Sequence, residues 1–477
     1  MRLLLIFPLW TTNLGSYGNS AKRFAYPPLN LCIMATIARE AGHDVRVIDA
    51  ELEDIGPEQM CREIDLFKPD LIGITATTPS VHNTRLFASA IKDHCDIPVI
   101  LGGPHTTLLR EKALEPMFDY IYIGECETVL VDLLASFESG EKGAGVPGLM
   151  WQDADGTVQY TGDVSPSSDL DAIPWPDRRL LPIEKYMCGA MKGGEMNYTS
   201  LIMSRGCPYK CVFCATDLYG TKIRRRSIAN VMAEIEEVVL DLGIQHINFL
   251  DDVLTLSRRF IMELCDEIEQ RGLKFTWEGS TRVNLWDEEM VRRMQECGLI
   301  RISFGLETAD PKVRELIRKG VSLEEHVVAV KLNKKLGLET SNSVMLGMPG
   351  ETRESIERTI EFLSKSKEIQ NVSYNIAVPY PGTELAEMAK RGEHGLELLS
   401  EDYARYQRYS DGVLKVNGIT PEELVELQRD GLRRIYSHWW RVLPTIRRHG
   451  LKNVLEHVWV TFKASLVRIF QRESASS

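Results

Sequence analysis

The chain has 477 residues and 44% hydrophobic content, which is enough for two or three domains with ordinary globular cores. Its net charge of −12 argues against a general nucleic-acid-binding surface, because such a surface is basic. No apolar stretch is long enough to span a bilayer, and ten cysteines without a signal peptide suit a reducing cytosol, so we expect a cytoplasmic protein.

The amino-terminal region begins with an apolar run that stops at Pro8 without a cleavage site, which predicts a buried strand rather than a signal peptide. From there to residue 138, short apolar strands alternate with helical stretches. This alternation predicts a parallel, doubly wound α/β sheet. The predicted strands are Leu3–Phe7, Val45–Ile48, Leu71–Thr75, Val99–Leu101 and Tyr120–Ile123, and the predicted helices are Leu31–Ala41, Pro57–Phe67, Thr84–Asp93 and Thr128–Ser136.

Small and polar residues follow three of these strands. Ligands of doubly wound sheets bind beyond the carboxyl ends of the strands, and glycine there lets a ligand approach the backbone closely. Tight turns without a ligand explain the pattern equally well, and the absence of G-x-G-x-x-G disfavours a nicotinamide cofactor. The candidate ligand-binding residues are Thr75, Thr77, Gly102, Gly103, Gly124 and Glu125.

Residues 139–198 are predicted to be a linker, since Gly, Pro, Asp and Ser are dense there and break regular structure. Within it, Trp151 to Tyr160 predicts a small hairpin that turns at Asp155-Gly156.

Residues 199–390 again alternate strands and helices, which predicts a partial (β/α)6 barrel with its chemistry at the carboxyl ends of the strands. Polar side chains follow the strands there, including Asp251, Asp252, Ser280, Arg282 and Glu307. Each is also explained as an exposed strand-end residue, and one of the two aspartates as a helix cap. The predicted strands are Thr199–Met203, His246–Leu250, Lys274–Trp277, Leu299–Phe304, Glu339–Met345 and Asn371–Ile376.

Three cysteines follow the first of these strands in a C-x3-C-x2-C run, at Cys207, Cys211 and Cys214. Three thiolates on one loop can hold three irons of a [4Fe–4S] cluster. No fourth cysteine completes the run, so one iron stays open for a ligand from outside the protein. A zinc site is less favoured, since it usually needs four ligands and no second pair follows.

Two further features are basic. Arg224-Arg225-Arg226 follows the cysteine loop; such a run is usually a solvated face, the alternative being a contact to an anionic ligand. The region 391–477 is predicted to be helical, with a helix start at Thr420-Pro421. Residues 436–472 carry seven Lys or Arg against one acid, with five aromatic residues on an apolar face. This predicts either a peripheral contact with an anionic membrane or a helical cap on the barrel.

The cysteine spacing, Phe213 before the last cysteine and the preceding Arg-Gly resemble the radical S-adenosylmethionine (SAM) superfamily. The resemblance implies that SAM binds the open iron and is cleaved to a 5′-deoxyadenosyl radical, which abstracts hydrogen from the substrate. It implies that Phe213 contacts SAM and that Asp251 or Asp252 meets its amine. Arg282 would then meet the carboxylate of SAM, and Ser280 and Glu307 would meet its ribose or amine.

Residues 1–138 resemble the cobalamin-binding (B12) domain that precedes the radical domain in one large class of this superfamily. The similar pieces, in order, are Tyr26-Pro27-Pro28-Leu29, Ala41-Gly42-His43 with Val47-Ile48-Asp49, Gly102-Gly103-Pro104-His105, and Gly124-Glu125. The chain lacks the D-x-H-x-x-G motif of classical carriers, so the resemblance implies cobalamin without a histidine below the cobalt.

This class includes hopanoid methylases and the anaerobic magnesium-protoporphyrin ester cyclase. The resemblance implies three cofactors, namely a [4Fe–4S] cluster, SAM and cobalamin, and an external electron donor such as a flavodoxin or ferredoxin. It implies methyl transfer to an unactivated carbon of a small molecule or lipid, and the basic tail favours a membrane lipid such as a hopanoid. An oxidative ring-forming or rearranging enzyme acting on a tetrapyrrole is the first alternative, and a non-catalytic cobalamin or iron–sulfur sensor is the second. The sequence names no catalytic residue.

Overall fold

A computed structural model describes residues 1–9, 26–191, 194–408 and 412–441. Most of the predicted basic helix at 436–472 therefore lies outside the described residues. The described part of the chain contains two seven-stranded sheets and a short helical carboxyl-terminal region. This confirms the predicted α/β class, with a doubly wound sheet first and a partial barrel second.

The first sheet has the strand order β2-β1-β3-β4-β5-β6-β7. Strands β1 to β5 are parallel, whereas β6 and β7 form an antiparallel hairpin on the edge, as the Asp-Gly turn predicts. Its strands are β1 Arg2–Phe7, β2 Asp44–Asp49, β3 Leu71–Thr75, β4 Val99–Gly102, β5 Tyr120–Tyr122, β6 Leu149–Gln152 and β7 Val158–Tyr160. Its helices are α1 Leu29–Glu40, α2 Ala50–Glu53, α3 Pro57–Phe67, α4 Val81–His94, α5 Pro104–Leu109 and α6 Leu130–Glu138.

Both faces of this sheet are covered, which explains why its strands are continuously apolar. In β1, Leu3 and Leu5 pack in one core layer, while Leu4 and Ile6 pack in the other. The first layer also includes Tyr186, whose hydroxyl donates to Asp49 at 2.5 Å. The sheet is thereby joined to the chain that leads into the second sheet.

The second sheet has the order β16-β15-β14-β13-β12-β9-β8. Six of its strands are parallel and form the partial barrel, namely β9, β12, β13, β14, β15 and β16. The seventh, β8, pairs antiparallel with β9 on the edge. The strands are β8 Met187–Met191, β9 Gly194–Leu201, β12 His246–Phe249, β13 Thr276–Thr281, β14 Leu299–Glu307, β15 Glu339–Leu346 and β16 Asn371–Ile376. A separate two-stranded pair, β10 Ser204–Arg205 and β11 Arg224–Arg225, follows β9.

Helices cover the outer face of this barrel. Along β14, Ile302, Phe304 and Leu306 are buried against them, while Ser303 and Gly305 alternate on the inner, less buried face. A polar inner wall therefore faces the lumen. The helices are α7 Ile228–Glu236, α8 Arg258–Gln270, α9 Glu288–Glu296, α10 Pro311–Leu316, α11 Leu323–Leu336, α12 Arg353–Lys365 and α13 Glu384–Arg391.

The segment predicted as a linker supplies strands to both sheets: β6 and β7 extend the first, and β8 and the start of β9 belong to the second. The carboxyl-terminal region contains β17 Leu396–Leu398, β18 Leu414–Val416 and α14 Pro421–Tyr436. The predicted start of α14 is correct, because the Thr420 side chain accepts from the Glu423 N–H and that of Glu423 accepts from the Thr420 N–H. Among the described helices, none combines the length and apolar content that a transmembrane helix requires.

Candidate functional site

The cysteine loop is enclosed by the strand pair β10–β11, which pairs Ser204 with Arg225 and Arg205 with Arg224. Gly206, directly before the first cysteine, has a φ of +96°, and a Cβ there would lie 2.6 Å from the carbonyl oxygen of Lys222. The loop is also tied to the barrel, since the N–H of Val212 donates to the carbonyl of Ile317. The Arg-Gly-Cys sequence therefore has a steric reason, which is that only glycine fits at this turn.

The three loop thiols differ in burial: Cys207 is buried, Cys211 is half-buried and Cys214 reaches solvent. Desolvation, then Asp252 and the other two thiols, raise the pKa of Cys214 to about 12; desolvation, Asp252 and Cys211 also raise that of Cys207. Within the described part of the chain, no three His, Cys, Asp or Glu side chains are already grouped tightly enough to hold a metal ion. The donor set fits an iron–sulfur cluster in its chemistry, because such clusters are held by cysteine thiolates. The positive charge of the irons would offset the repulsion between the three thiolates.

Arg282, after β13, contacts the cysteine loop directly. Its Nη1 lies 3.7 Å from the Sγ of Cys211, and its guanidinium stacks over the ring of Tyr209 at 3.7 Å from the centroid. Its Nη2 donates to the carbonyl of Lys319, while its buried Nε has no partner among the described residues. A fixed guanidinium with one free donor beside a thiol is suited to bind a carboxylate.

Glu307, at the end of β14, forms a buried ion pair with Lys319 at 2.9 Å. Its Oε2 is buried and has no partner among the described residues, and its φ is +63°. A Cβ at Gly305 would lie 2.1 Å from the Oε1 of Glu307, so glycine makes room for the pair. The Lys319 ammonium is 5.8 Å from the centre of the Phe213 ring, which brings the predicted Phe213 and Glu307 to the same side of the cysteine loop.

The two aspartates after β12 have different surroundings. Asp251 is buried and accepts from the Met203 N–H at 3.1 Å and from the Ser204 hydroxyl at 2.5 Å. Burial raises its pKa to about 6. Asp252 is exposed and is the carboxylate that raises the thiol pKa values of Cys207 and Cys214. Asp251 therefore orders the residues just before the cysteine loop, whereas Asp252 lies near the cysteines themselves.

Ser280 is exposed near the end of β13, where it pairs in register with Ser303 of β14. The predicted residues Phe213, Asp252, Ser280, Arg282 and Glu307 are therefore brought to one end of the barrel, around the cysteine loop. Asp251 is also there, but its oxygens accept from the Met203 N–H and the Ser204 hydroxyl, just before the cysteine loop.

Small residues end β3 and β4 and follow them at the carboxyl edge of the first sheet. Gly103 has a φ of +104°, and a Cβ there would lie 2.7 Å from the Oγ1 of Thr75 and 2.8 Å from the carbonyl of Ala76. Thr77 is exposed, and the nearest atom to a Cβ at Gly102 would be the Cβ of Tyr122 at 4.0 Å. Glycine at 103 is therefore required by the turn that packs on Ala76, whereas Gly102 and the exposed Thr77 leave room for the close approach of a large ligand such as cobalamin.

Other candidates at this edge are engaged within the protein. Thr75 Oγ1 accepts from the Nδ2 of Asn30, and the N–H of Gly124 donates to Thr107. His105 has a ring nitrogen 3.2 Å from Thr78 Oγ1 and packs edge-on against Tyr403, and burial lowers its pKa to about 4. His105 is therefore engaged within the protein.

Glu125, predicted to contact cobalamin, instead forms ion pairs with Arg205 and Arg224. Arg224 is buried, Arg225 lies over the ring of Phe260 and Arg226 donates to Glu234 at 2.5 Å. The expectation of a solvated face for this arginine run is wrong, because each of its members has a partner inside the protein.

The sequence did not single out two residues that contact Arg282: Lys319, whose carbonyl accepts from it, and Tyr209, a cysteine-loop residue whose ring it stacks on. Tyr209 had a usable signal, since it is an aromatic residue between two of the cysteines. Lys319 lies over one hundred positions away from them, in a polar segment with no motif of its own.

Comparison with known proteins extends over nearly the whole chain. Residues 201–363 match the family model of the Radical SAM superfamily, and residues 21–134 match that of the B12 binding domain. An uncharacterized methyltransferase of Pyrococcus horikoshii is 34% identical over 414 residues, which are 86% of this chain and 88% of that protein. The anaerobic magnesium-protoporphyrin IX monomethyl ester cyclase of Rubrivivax gelatinosus is 28% identical over 449 residues, or 92% of this chain and 78% of that protein.

Among solved structures, the fold is similar to the radical SAM methyltransferase TsrM from Kitasatospora setae, solved with cobalamin and a [4Fe-4S] cluster. The TM-score is 0.70 at 18% identity, covering 91% of this chain and 88% of that one. At this identity the likeness concerns the fold.

Proposed function

This chain belongs to the radical SAM superfamily and carries its B12-binding domain, and from that premise we propose that it is a cobalamin-dependent C-methyltransferase acting on an unactivated carbon. Its cofactors are a [4Fe–4S] cluster, SAM and cobalamin. Methyl transfer is favoured over cyclisation because the more similar of the two relatives above, 34% identical over 86% of this chain, is an uncharacterized methyltransferase, whereas the cyclase is 28% identical.

One observation supports the reaction most directly: ion pairs join the first sheet to the two strands that flank the cysteine loop. Glu125, in the loop after β5, forms an ion pair at 2.5 Å with Arg205, which lies in the strand just before the cysteine loop. On the other side, a Cβ at Gly382, after β16, would lie 2.6 Å from the side chain of Leu108 in α5. These contacts hold the end of β5 and helix α5 close to the carboxyl end of the barrel, which supports a reaction that uses two cofactors together.

Named residues would hold each group. Cys207, Cys211 and Cys214 would ligate the cluster; Asp252, Arg282 and Glu307 would bind the charged ends of SAM, with Phe213 and Ser280 beside them. Thr77, Gly102 and Gly103 would border cobalamin. When bound, these groups supply hydrogen-atom abstraction and a transferable methyl group, and the protein orients them and keeps out water.

The chain's own charges support these roles. The Arg282 guanidinium is held in place by Tyr209 and the Lys319 carbonyl, which orients it in advance for binding a carboxylate. Glu307 retains one unpaired oxygen for an ammonium or a ribose hydroxyl. Lys319 forms an ion pair with the other oxygen of Glu307 and holds that carboxylate in place.

Anaerobic reconstitution with iron, sulfide, cobalamin, SAM and a reductant tests the proposal. We expect 5′-deoxyadenosine from the wild type and none from Cys211→Ala, with Cys61→Ala in α3 as the matched control. Formation of S-adenosylhomocysteine as well supports methyl transfer, whereas 5′-deoxyadenosine alone with a confirmed substrate supports the cyclase. If neither product forms and cobalamin binds, the sensor alternative is correct.

We also propose a one-electron donor of the flavodoxin or ferredoxin type and, from the basic tail, a substrate at a membrane surface such as a lipid. Arg441, the last described residue, donates to the backbone carbonyls of Leu363, Ser366 and Gln370. Deletion of residues 442–477 therefore removes the rest of the basic tail and leaves the contacts of Arg441 in place. Loss of binding to anionic liposomes on that deletion supports the membrane proposal, and unchanged binding refutes it.

A further inference from the structure

Four charged residues join the two domains beside the cysteine loop, and we call them the clasp: Glu125, Glu127, Arg205 and Arg224. Arg205 donates to Glu125 at 2.5 Å and to Glu127 at 2.7 Å. Arg224 binds both oxygens of Glu125, one of them at 2.9 Å, and also donates to the Ser167 carbonyl at 2.9 Å. All four side chains are 7–12% exposed.

The clasp is built to hold one geometry. Its arginines lie opposite each other in the strand pair β10–β11, at the two ends of the segment that carries the cysteines. Bidentate contacts between a guanidinium and a carboxylate fix direction as well as distance. Burial raises the pKa of Glu125, but Arg224 and Arg205 outweigh it and hold that pKa below its usual value. The acid therefore stays charged and paired.

The other end of the same strand pair is fixed to the barrel. Arg226 donates to Glu234 of α7 at 2.5 Å and to the Ile202 carbonyl at 3.1 Å. Glu234 also accepts from the fully buried Arg178 at 2.7 Å. The cysteine segment is thus bound to the barrel through Arg226 and to the first sheet through the clasp.

A cofactor contact does not account for Glu125, because both of its carboxylate oxygens are occupied by arginines. A simple role in folding does not explain the location either, since Glu125 and Glu127 lie in the loop after β5, at the carboxyl edge of the sheet. Their partners stand on either side of the proposed cluster ligands. The clasp therefore connects the carboxyl edge of the first sheet to the cysteine loop, which are the two proposed cofactor sites.

We propose that the clasp sets the separation between the ligand edge of the first sheet and the cysteine loop, which makes Glu125 and Glu127 positioning residues. This inference rests on the proposed function, in which the two edges carry cobalamin and the cluster. A reaction that uses both groups needs their separation held within a narrow range, because small misplacements of reacting groups cost large factors in rate.

The test uses reconstituted holoprotein and two neutral isosteres, Glu125→Gln and Glu127→Gln. Asp163→Asn is the matched control, since it breaks an exposed ion pair with Arg110 in the same domain. Pulsed electron paramagnetic resonance on the cob(II)alamin and reduced-cluster state measures the distance between the two metals. We expect a longer or broader distance distribution in Glu125→Gln, a smaller change in Glu127→Gln and no change in Asp163→Asn, while iron content stays at the wild-type level.

A wild-type distribution in both glutamate variants would overturn the proposal. If Glu125→Gln fails to fold, Glu127→Gln decides the question, because it leaves the bidentate Glu125–Arg224 pair intact. Hydrogen exchange of residues 204–226 gives a readout that needs no cobalamin: the clasp predicts faster exchange in both variants, and unchanged exchange contradicts it. If the wild type binds no cobalamin, the proposed function fails while the exchange measurement still tests the clasp.

Discussion

The Nη1 of Arg282 lies 3.7 Å from the Sγ of Cys211, so the strand end of β13 and the cysteine loop form one site. The guanidinium is clamped by the Tyr209 ring and the Lys319 carbonyl, and its Nε is left without a partner among the described residues. A buried donor of this kind needs an acceptor, and a carboxylate of SAM would provide it.

Arg282→Ala should weaken SAM binding without removing the cluster. Losing one charge-assisted hydrogen bond of about 1.5–3 kcal/mol corresponds to roughly a ten- to hundredfold rise in Kd. Equilibrium dialysis of SAM against reconstituted protein measures the effect, and iron analysis checks the cluster. Arg258→Ala on α8 is the control, because Arg258 is exposed and pairs with Asp287 and Glu289 at the surface. Equal SAM affinity in the wild type and Arg282→Ala would argue against this role.

The neighbouring aspartates Asp251 and Asp252 should give opposite results. Asp251→Ala removes the acceptor of two buried donors and should cost about 2–4 kcal/mol of stability. Asp252→Ala removes an exposed side chain and should change stability by about 0.5 kcal/mol or less, yet it should weaken SAM binding. Unfolding midpoints and SAM affinities of the two variants test both statements, and the idea fails if Asp252→Ala unfolds as early as Asp251→Ala.

Much of the fold follows from local patterns. Helix Pro57–Phe67 and strands Leu71–Thr75 and Asn371–Ile376 have the predicted bounds, because apolar spacing and polar punctuation agree there. Strand β9 begins earlier than predicted, at Gly194, since its first residues are not apolar and pair with β8 in a hairpin. The polar residues that follow the barrel strands lie at one end of the barrel for a related reason, since parallel strands gather their ends at one edge.

Long-range charge pairing explains what the sequence did not predict. Arg224 and Glu125 are 99 positions apart, and a run of three arginines carries no local sign of buried partners. The pairing of Glu307 with Lys319 depends on how the chain after β14 returns to the loop, which no spacing rule gives. Local patterns therefore place the strand ends, whereas the three-dimensional fold decides which charges meet there.

Glu351, in the turn after β15, should make stability depend on pH. It is fully buried and accepts from the N–H groups of Gly347 at 2.6 Å and Met348 at 3.0 Å, and burial raises its pKa to about 8. The unfolded value is about 4.3. The folded state therefore binds more protons between about pH 4.3 and pH 8, and the stability contributed by this group is lost as pH rises through that window.

Glu351→Gln should remove this dependence, because a neutral amide keeps an acceptor for the two N–H groups and has no charge to desolvate. Thermal unfolding midpoints measured from pH 5 to pH 9 should decline for the wild type and stay flatter for the variant. Glu361→Gln alters an exposed carboxyl of α12 that pairs with Lys365, and it should follow the wild-type curve in this range. Parallel curves for the wild type and Glu351→Gln would show that Glu351 titrates normally.

Gly206 should be required for the cysteine loop to take its shape. Its φ of +96° disfavours any side chain, and a Cβ would collide with the Lys222 carbonyl at 2.6 Å and meet the Gly220 carbonyl at 3.0 Å. Gly220, in the same loop, also has a positive φ, of +76°, but a Cβ there meets nothing within 4 Å. Gly220→Ala should therefore cost only backbone strain, about 1–2 kcal/mol.

Gly206→Ala adds a collision between backbone atoms to that strain, so we expect the cysteines to lose their arrangement and the reconstituted iron content to fall sharply. Gly220→Ala should retain iron close to the wild-type level. Because the two variants add the same methyl group to the same loop, the difference between their iron contents isolates the collision. Equal iron retention in both would mean that the loop relaxes around residue 206 and that the glycine before Cys207 is not a steric requirement.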